Sequence, residues 1–390
     1  MRVLMLLENE PYPQDIRVRA EAEALVREGH EVAVIAPRAS GQPARETLAG
    51  VGVERFRLRQ SGGDARGFLL EYAIAHLQLV ARGLRSLVRG AEVVHLHNPP
   101  DTLFPIGLAA RALGRSVVFD QHDLFPELMA AKFGPGALER AALAAQRAAL
   151  RTASAVLASN ESQRAIAIER GRLDPAAVTV VRNGPRAGTL VERPAVRPGA
   201  LAEPRLVYVG TLAVQDGVRD LAALLERPAL AGARLTVAGD GPSRPVLESL
   251  LARSPGAARR VRMLGRVDHA RVPELLAEAD IAIDPAPRGP FNDRSTMVKV
   301  AEYMAAGLPV VAYDLAETRI TAGDAALYAS DLPEFADAVA ELAASPERRE
   351  ELAGRGLRRA EELTWERSEE ALLALYRRLA EWKELAPCAA

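Results

Sequence analysis

Two runs of one alternating pattern constrain the fold of this chain more than any other feature. In the first half, six short β-branched segments alternate with segments of 3.6-residue periodicity: RVLMLL, EVAVIAP, AEVVHLH, SVVFDQH, SAVLAS and VTVVRN. Parallel strands need long crossovers, usually helical, so this alternation predicts a parallel sheet covered by helices on both faces. From residue 205 the pattern restarts with RLVYVG, RLTVAG, RVRMLG, DIAIDP and PVVAYD. The sequence therefore predicts two doubly wound α/β domains in tandem.

A proline-rich break, GPRAGTLVERPAVRPGALAEP, separates the two runs. We expect an N-terminal Rossmann-like domain, a linker, a C-terminal Rossmann-like domain and a final helix that packs back on the first domain, at residues 1–184, 185–204, 205–364 and 365–390. In open α/β sheets, ligands bind outside the carboxyl ends of the strands. We therefore expect the ligand in the crevice between the two domains.

Composition excludes several classes of protein. The 390 residues carry a net charge of −1, which gives no field to attract nucleic acid, and the single cysteine, Cys388, cannot form a disulfide or a thiolate metal site within one chain. Apolar runs are too short to span a bilayer, and the first of them meets Glu8 and Glu10 at once, so we expect no signal peptide and a mature start at Met1. These features favour a cytoplasmic protein.

A lysine is the oddest residue in the stretch STMVKVAEYMAAGLPVVAYD. The chain has 50 Lys and Arg residues, yet only Lys132, Lys299 and Lys383 are lysines. Ser295 or Thr296 is a suitable N-cap for a helix that ends at Gly307, with Pro309 opening the next strand. The N-terminus of that helix would lie at the carboxyl edge of the sheet, where unpaired N–H groups bind phosphate.

Lys299 and Glu302 share one face of this predicted helix. Lys299 is in the first turn, where a cation opposes the helix dipole unless an anion is bound. A diphosphate on Lys299 and a ribose on Glu302 would describe a nucleotide. The alternative, equally compatible with these two residues alone, is a solvated ion pair on a surface helix.

Several motifs together resemble those of glycosyltransferase family four. They are STMVKVAEYMAAGLPVVAYDLAET, YVGTL, QDGV, VAGDGP, RNGP and FDQHDLFPE, and they cover nearly the whole chain in order. The resemblance, closest to bacterial capsular or extracellular polysaccharide enzymes, implies a GT-B fold and retaining transfer. It implies a nucleotide-sugar in the C-terminal domain, with a UDP-sugar slightly favoured over a GDP-sugar, and no metal. It implies a glycan, lipid-linked or small-molecule acceptor in the N-terminal domain.

The resemblance also assigns nucleotide-sugar contacts to individual residues. Glu302 matches the second glutamate of the family's E-x7-E motif, which binds ribose, and Lys299 faces the diphosphate and takes part in catalysis. The predicted donor-binding residues are Gly210, Thr211, Arg294, Ser295, Thr296, Lys299 and Glu302. The chain departs from the family pattern because Arg294 replaces the first glutamate, while Thr211 and Asp216 replace an arginine and a lysine. The resemblance then implies that Lys299 and Arg294 share the charge of the diphosphate.

Histidines follow two strands of the first run. His122, in FDQHDLFPE, matches the family histidine that lies against the donor sugar, and we predict a catalytic role for it. His95 is interpreted as a structural hydrogen-bonding residue. His97, with Asp15 and Arg17 of PYPQDIRVR, is predicted to lie on the acceptor side.

Two acidic residues follow His122 in the same motif. Asp123 and Glu127 could act as bases only if they point inward. Glu127 follows a proline at a predicted helix start, so a capping role is favoured for it.

The segment GFLLEYAIAHLQLVARGLRSLVR, residues 67–89, predicts a helix that is apolar on one side and carries Arg82, Arg85 and Arg89. Such a helix would suit peripheral contact with the inner face of a membrane and a lipid-linked acceptor. A helix packed on the core with a solvated arginine edge is the alternative that the pattern itself favours.

Three rival functions differ in what they require. A dehydrogenase would need G-x-G-x-x-G after a strand, and AGDGPSR lacks the third glycine. A sugar-nucleotide epimerase of GT-B shape and a catalytically silent sugar-nucleotide-binding subunit stay open. The residues do not identify the donor base, the sugar or the acceptor.

Overall fold

The computed structural model describes residues 1–58, 65–192 and 196–385. The chain divides into two compact units: unit 1 contains residues 1–182 and the segment from Ser368 onward, and unit 2 contains residues 183–367. Each unit is built on its own sheet and has its own hydrophobic core. Cys388 and the side chain of Lys383 lie outside the described residues.

Unit 1 holds an eight-stranded sheet in the order β3-β4-β2-β1-β5-β6-β7-β8, parallel except for the β3–β4 pair. Its strands are β1 Arg2–Leu6, β2 Glu31–Pro37, β3 Arg45–Leu48, β4 Val51–Phe56, β5 Val93–His97, β6 Ser116–Gln121, β7 Ala155–Ala158 and β8 Val178–Val180. Six of them fall on the β-branched segments of the first run. The sequence did not predict β3 and β4, an antiparallel hairpin whose turn uses Ala49 at φ 48° and Gly50 at φ 82°.

Helices of unit 1 connect these strands as crossovers. They are α1 Ile16–Arg27, α2 Ala65–Val88, α3 Phe104–Ala112, α4 Phe125–Phe133, α5 Ala137–Thr152 and α6 Glu161–Gly171. A cluster of buried side chains from β1, β5, β6 and β7 packs against α2, α3 and α5. This core leaves the carboxyl ends of β5 and β6, at His97 and Gln121, next to the loops that follow them.

Unit 2 holds a six-stranded parallel sheet in the order β11-β10-β9-β12-β13-β14. Its strands are β9 Arg205–Val209, β10 Arg234–Ala238, β11 Val261–Gly265, β12 Ile281–Asp284, β13 Val310–Tyr313 and β14 Ala326–Ala329. The five strands predicted for the second run are confirmed, and β14 is added at the edge. Parallel pairing brings the carboxyl ends of β9, β10, β12 and β13 to one edge of the sheet.

The helices of unit 2 cover both faces of this sheet, with one hydrophobic cluster on each face. They are α7 Val218–Leu224, α8 Arg244–Ala252, α9 Pro255–Ala258, α10 Val272–Ala277, α11 Val298–Ala305, α12 Ala316–Ala322, α13 Leu332–Ala344 and α14 Pro346–Glu362. The last helix, α15 Trp365–Leu385, enters unit 1 at Ser368. No helix in the described ranges is both long enough and apolar enough to cross a membrane.

The proline-rich segment between the two runs packs on unit 2 where it is described. Leu201 donates its backbone N–H to Ala343 at 2.7 Å. The buried guanidinium of Arg349 donates to the carbonyl oxygens of Arg197 and Gly199 at 2.8 and 2.7 Å. These bonds tie the described part of the segment to α13 and α14.

Candidate functional site

Lys299 lies at the carboxyl edge of the unit 2 sheet, in the first turn of α11. Its Nζ atom is 3.3 Å from Asp284 Oδ1 at the end of β12, and 3.4 Å from Asp216 Oδ1 in the loop after β9. It also lies 3.4 Å from the hydroxyl of Tyr208 on β9 and 4.8 Å from the centre of the Tyr208 ring. Three separate segments of unit 2 therefore converge on one ammonium group.

This ammonium stays charged although it is largely buried, with 12% of the side chain exposed. Burial would lower the pKa of Lys299, but Asp284, Tyr208 and Asp216 outweigh burial and hold the pKa well above its ordinary value. Burial raises the pKa of the Asp216 carboxyl, an effect that Lys299 partly opposes. Among the described residues, Asp284 Oδ2 is buried without a hydrogen-bond partner.

The helix that carries Lys299 begins later than predicted. Its N-cap is Met297, so the prediction of Ser295 or Thr296 as the N-cap is wrong. The reason is a short 3-10 turn at Asn292–Arg294, after which the Ser295 hydroxyl donates to the carbonyl oxygen of Phe291 at 2.8 Å. Arg294, on this turn, is exposed, whereas Thr296 is half-buried.

The end of the same helix is confirmed. The helix ends at Ala305, and Gly307 follows with a φ of 69°. Glycine adopts this left-handed conformation without steric cost, which suits a helix terminus.

Glu302, one turn after Lys299, has no hydrogen-bond or ion-pair partner among the residues that the structure describes. The carboxyl group is half-buried, and burial raises its pKa, while His269 and Lys299 act in the opposite direction. Because Lys299 bonds to Asp284 and Asp216 instead, the solvated pair of Lys299 with Glu302 is wrong as an alternative. A half-buried carboxylate without partners can accept hydrogen bonds from a ligand.

Two glycines let the backbone approach Lys299 closely. A Cβ atom at Gly210 would lie 3.1 Å from Lys299 Cε and 3.2 Å from the Tyr208 hydroxyl oxygen. A Cβ atom at Gly239, after β10, would overlap the carbonyl oxygen of Gly210 at 1.8 Å. Thr211 next to Gly210 has an exposed side chain, and its carbonyl oxygen accepts from the Tyr208 hydroxyl at 2.7 Å.

The sequence did not identify Asp284 or Asp216 as partners of Lys299. Asp216 was noted only as a position where the family has a lysine, and Asp284 only as the end of a strand. One signal was available in the sequence. Asp216 is an acid at a position where the family has a lysine, and it lies at the same sheet edge as Lys299. Together the three groups carry a net charge of −1 while Asp216 and Asp284 are ionised.

Asp120, at the end of the unit 1 sheet, is the centre of a buried polar cluster. Its oxygens accept two hydrogen bonds from the Arg17 guanidinium, at 2.9 and 2.7 Å. One oxygen also lies 2.7 Å from His122 Nε2 and 3.2 Å from His97 Nδ1. Burial would raise the pKa of Asp120, but Arg17 and His122 hold it well below its usual value. Asp120 is therefore a charged carboxylate that orients three side chains.

His122 reaches further toward solvent than the other histidines of this cluster, with 11% of its side chain exposed. It lies in the loop between β6 and α4, as predicted, and its Nε2 is also 3.1 Å from His97 Nδ1. Arg17 and His97 are buried. Burial disfavours direct contact of either residue with an acceptor, so that role stays a prediction. Asp15 is the N-cap of α1 and accepts from the backbone N–H of Val18 at 2.9 Å.

His95 is placed as a structural residue, in agreement with the sequence interpretation. Its Nδ1 is 2.8 Å from the hydroxyl of Tyr376 on α15, and its ring stacks on His97 with centroids 4.2 Å apart. Its Nε2 lies 3.7 Å from Glu21, a buried acid that the sequence did not single out. Burial and Asp120 raise the pKa of Glu21 well above its ordinary value, against the effect of Arg17.

Four ligand atoms in this cluster lie within 4.8 Å of one another, from Glu21, His95, His97 and Asp120. Such a set could bind a transition metal ion. The Arg17 guanidinium, however, already bonds to both oxygens of Asp120 and lies 3.1 Å from Glu21. A cation thus already occupies the position between the two carboxylates, and the residues do not fit a metal site.

Glu127 was expected to cap α4. The structure shows an ion pair instead, in which Arg170 of α6 donates to both carboxylate oxygens at 2.5 and 3.2 Å. The pair joins α4 to α6 and connects the loop that carries His122 to the rest of unit 1.

Comparisons with known proteins identify the family of this chain. A family described as "Glycosyl transferase 4-like domain" matches residues 15–184, and one described as "Glycosyl transferases group 1" matches residues 203–345. The two matches cover most of the chain, one in each run of strands and helices.

Two proteins of Mycobacterium tuberculosis are similar to this chain in sequence. A GDP-mannose-dependent alpha-(1-6)-phosphatidylinositol dimannoside mannosyltransferase of Mycobacterium tuberculosis is 35% identical over 43% of this chain and 42% of its own length. The match thus spans less than half of that relative. The glycogen synthase of Mycobacterium tuberculosis is 28% identical over 80% of this chain and 77% of its own length.

Among solved structures, Anabaena HepE in complex with UDP and glucose matches with a TM-score of 0.72 at 16% identity, over 97% of this chain and 100% of that chain. At this identity the likeness concerns the fold alone, and it confirms the predicted GT-B class. The chain belongs to the glycosyltransferases of family four.

Proposed function

We propose that this protein is a retaining glycosyltransferase that moves a sugar from a nucleotide-diphosphate-sugar to a hydroxyl group of an acceptor. The observation that carries the proposal is the arrangement at the start of α11, where a buried charged lysine lies against Gly210. Glu302, which has no partner in the described ranges, lies one turn away. Family membership supports the same reaction class. The test is incubation with labelled nucleotide-sugars, with and without acceptors.

That test separates the three readings. A glycosyltransferase forms labelled glycoside only when an acceptor is present. Labelled free sugar-nucleotide of altered configuration would identify an epimerase. Binding without any product would identify a silent subunit, and either result would overturn the proposal.

Each residue has a distinct part in the proposed reaction. The Glu302 carboxylate accepts hydrogen bonds from the ribose hydroxyls, and Lys299 stabilises the departing diphosphate, whose negative charge grows during the reaction. His122 forms a hydrogen bond with a sugar hydroxyl through Nδ1, because its Nε2 lies 2.7 Å from the Asp120 carboxylate. Gly210, Thr211, Ser295, Thr296 and Arg294 supply the remaining donor contacts.

Two carboxylates, those of Asp284 and Asp216, compensate the charge of Lys299. We propose that the donor diphosphate displaces Asp216, because burial raises the pKa of that carboxyl and so reduces its preference for the charged form. Asp284 stays with Lys299 and holds the ammonium in place. The diphosphate then meets a cation that is already oriented, which is the condition for electrostatic catalysis.

For the donor base we favour UDP over GDP. Anabaena HepE is in complex with UDP and glucose, whereas the mycobacterial mannosyltransferase is described as GDP-mannose-dependent. Thermal-shift titrations with UDP, GDP, ADP and TDP decide between them, because a ligand that binds only the folded state raises the melting temperature. A larger shift with GDP than with UDP would reverse the preference.

Helix α2 supports a lipid-linked acceptor and contact with an anionic membrane surface. Its inner face packs on the unit 1 core, yet its outer face exposes a continuous apolar stripe. The stripe consists of Leu70, Ile74, Leu77, Leu84 and Val88, which are 39 to 85% exposed. A helix that is apolar on both faces needs a second apolar environment.

Basic side chains flank this stripe. Arg85 and Arg89 are exposed, and neither has an ion-pair partner among the described residues, whereas Arg82 pairs with Glu54 on β4 at 3.2 Å. The expected solvated arginine edge is thus present together with the apolar stripe. An interfacial helix with this combination binds anionic lipid.

Vesicle sedimentation tests the membrane contact. We expect the protein to sediment with vesicles containing anionic phospholipid, and the double variant Leu77→Glu, Val88→Glu to lose most of this binding. Val246→Glu, which changes an exposed valine on α8, is the matched control. Equal sedimentation of parent and double variant would show that the apolar stripe does not contact the membrane. In that case a location at the inner face of the membrane would have no support from α2.

A further inference from the structure

A basic cavity lies at the amino-terminal end of the unit 2 sheet. Its volume is about 400 Å³, and it is formed by the first residues of β9, β10 and β11 together with the end of α10. Its charged and polar lining consists of Arg205, Arg234, Thr236, Arg259, Arg260, Arg262 and Glu278. The five-residue strand β9 begins at this cavity with Arg205 and ends at Val209, next to Gly210 and Lys299. The cavity is therefore separate from the proposed donor site.

Arginines on three neighbouring strands lie close in register at this end of the sheet. Arg205 on β9 is in register with Arg234 on β10, and Thr236 on β10 is in register with Arg262 on β11. Alternate residues share one face of a strand, so Arg234 and Thr236 point to the same side of β10. Like charges directly opposite each other destabilise a sheet unless anions compensate them. Three adjacent strands thus present cations around a central hydroxyl group.

Carboxylates compensate these cations only in part. Arg205 bonds to Asp280 at 2.8 Å, but Asp280 is shared with Arg197. Arg234 pairs with Glu203 at 3.0 Å, and Arg262 pairs with Glu278 at 3.1 Å. The last two pairs are solvent-exposed on both sides, and exposed pairs contribute little and rearrange easily.

The remaining two guanidiniums have no carboxylate partner in the described part of the chain. Arg260 donates to the backbone carbonyl oxygens of Leu230 and Ala233, at 2.8 and 3.1 Å. The guanidinium of Arg259 has no hydrogen-bond or ion-pair partner among the described residues, and it is exposed. Five guanidiniums and one carboxylate line the cavity, which leaves an excess of positive charge even when Asp280 and Glu203 are included.

We infer that this cavity binds a small phosphorylated sugar, or a similar phosphomonoester, as a ligand distinct from the donor nucleotide. Arginine forks match phosphate oxygens in pairs, and a phosphomonoester carries the roughly two negative charges that the excess calls for. The volume lies within the ordinary range of small-molecule sites, about 300–1,000 Å³. Thr236 offers a neutral hydroxyl to the same ligand.

Isothermal titration calorimetry tests the cavity directly. Glucose 6-phosphate, inorganic phosphate and glucose are each titrated into the full chain. We expect glucose 6-phosphate to bind, inorganic phosphate to bind more weakly, and glucose not to bind. In the double variant Arg259→Gln, Arg262→Gln, the affinity for glucose 6-phosphate should fall by at least about tenfold, because two charge-assisted contacts are lost.

A matched control uses two half-buried arginines of α14 that also pair with acids, in the double variant Arg348→Gln, Arg355→Gln. This control should bind glucose 6-phosphate like the parent, and all three proteins should keep the same melting temperature. The titration is repeated with the nucleotide that gives the largest thermal shift, at saturation, and binding should persist. Equal affinity in the Arg259→Gln, Arg262→Gln variant, loss of binding with nucleotide, or no binding at millimolar glucose 6-phosphate would each overturn the inference.

Discussion

The two sheet edges differ in how their buried charges are compensated. In unit 1, the Asp120 carboxylate accepts a bidentate pair of hydrogen bonds from Arg17, at 2.7 and 2.9 Å, and it contacts two histidines. In unit 2, Lys299 makes only long contacts of 3.3–3.4 Å, and Glu302 has no partner among the described residues. Short, saturated contacts hold side chains in one geometry, whereas long or missing ones leave groups that a ligand can complete. The comparison thus separates one carboxylate, Asp120, which its own partners hold in place, from a lysine and a glutamate whose contacts a ligand can complete.

Removal of the cation in unit 1 tests whether Asp120 and its partners stabilise the fold. Arg17→Met leaves the buried carboxylate of Asp120 without its guanidinium, and it removes the cation beside Glu21. Removing one partner of a buried pair costs about 3–5 kcal/mol, the largest effect that we expect. Urea unfolding of the protein measures this loss in the free energy of unfolding. A loss below about 1 kcal/mol would mean that the cluster is not a structural framework.

Removing the cation of unit 2 should act on the reaction as well as on stability. Lys299→Met leaves the diphosphate without its ammonium, and we expect a transition-state cost of about 2–4 kcal/mol. Because Asp284 would be left buried and unpaired, Lys299→Met should also lower the melting temperature. The double variant Lys299→Met, Asp284→Asn separates the two effects, since it removes that charge. Stability should return in the double variant while turnover does not, and recovery of both would deny Lys299 a role in transfer.

Glu302→Gln tests whether the unpartnered carboxylate binds ribose. We expect nucleotide affinity to fall by about 1.5–3 kcal/mol, the scale of a hydrogen bond to a charged group. Burial raises the pKa of Glu302 above its ordinary value, so its ionised form lowers stability at neutral pH. The variant should therefore melt no lower than the parent. Glu350→Gln, at an exposed glutamate of α14, is the control, and equal calorimetric affinity in all three proteins would contradict the assignment.

His122→Ala should slow turnover about tenfold or more, which corresponds to about 1.4 kcal/mol, with near-normal nucleotide binding. The reason is that the imidazole is assigned to the sugar and not to the phosphates. His95→Ala is the structural comparison, because His95 lies against Tyr376. Steady-state kinetics should show loss of kcat in the first variant. An unchanged kcat would return His122 to the structural cluster around Asp120.

The smallest expected effect is that of EDTA. The sequence contains no D-x-D triplet of the kind that bridges a diphosphate through a metal ion. Lys299 and the N-terminus of α11 are expected to take over that charge, so turnover should be the same with and without chelator. Loss of turnover in EDTA with recovery in manganese would contradict this expectation.

Local patterns in the sequence predicted most of the fold and singled out Lys299 and Glu302, two residues of the candidate site. Strands such as β9 and β12 could be found because buried parallel strands are short β-branched runs between turn residues. The β3–β4 hairpin was missed, because Ala49 adopts a positive φ that its residue type does not signal. Lys299 and Glu302 could likewise be singled out, because both lie within the first turns of a predicted helix, α11.

Contacts between distant residues could not be predicted in this way. Arg17 and Asp120 are 103 positions apart, and Lys299 and Asp216 are 83 apart. Nothing in a local pattern links such pairs, since only the parallel order of the strands brings their ends together. The N-cap of α11 was wrong for a related reason, because a short turn before the helix uses the Ser295 hydroxyl.

Turnover of Lys299→Arg, measured together with its melting temperature, separates a role of Lys299 in sugar transfer from a role in stability alone. The substitution keeps the positive charge that Asp284 and Asp216 require, so the fold and its stability should be preserved. The larger planar guanidinium cannot replace a compact ammonium on the leaving diphosphate, at a place where even a Cβ atom on Gly210 would lie 3.1 Å from Lys299 Cε. We predict a loss of turnover of about tenfold or more at an unchanged melting temperature. Parental turnover in Lys299→Arg would show that unit 2 needs a cation at this position only for stability.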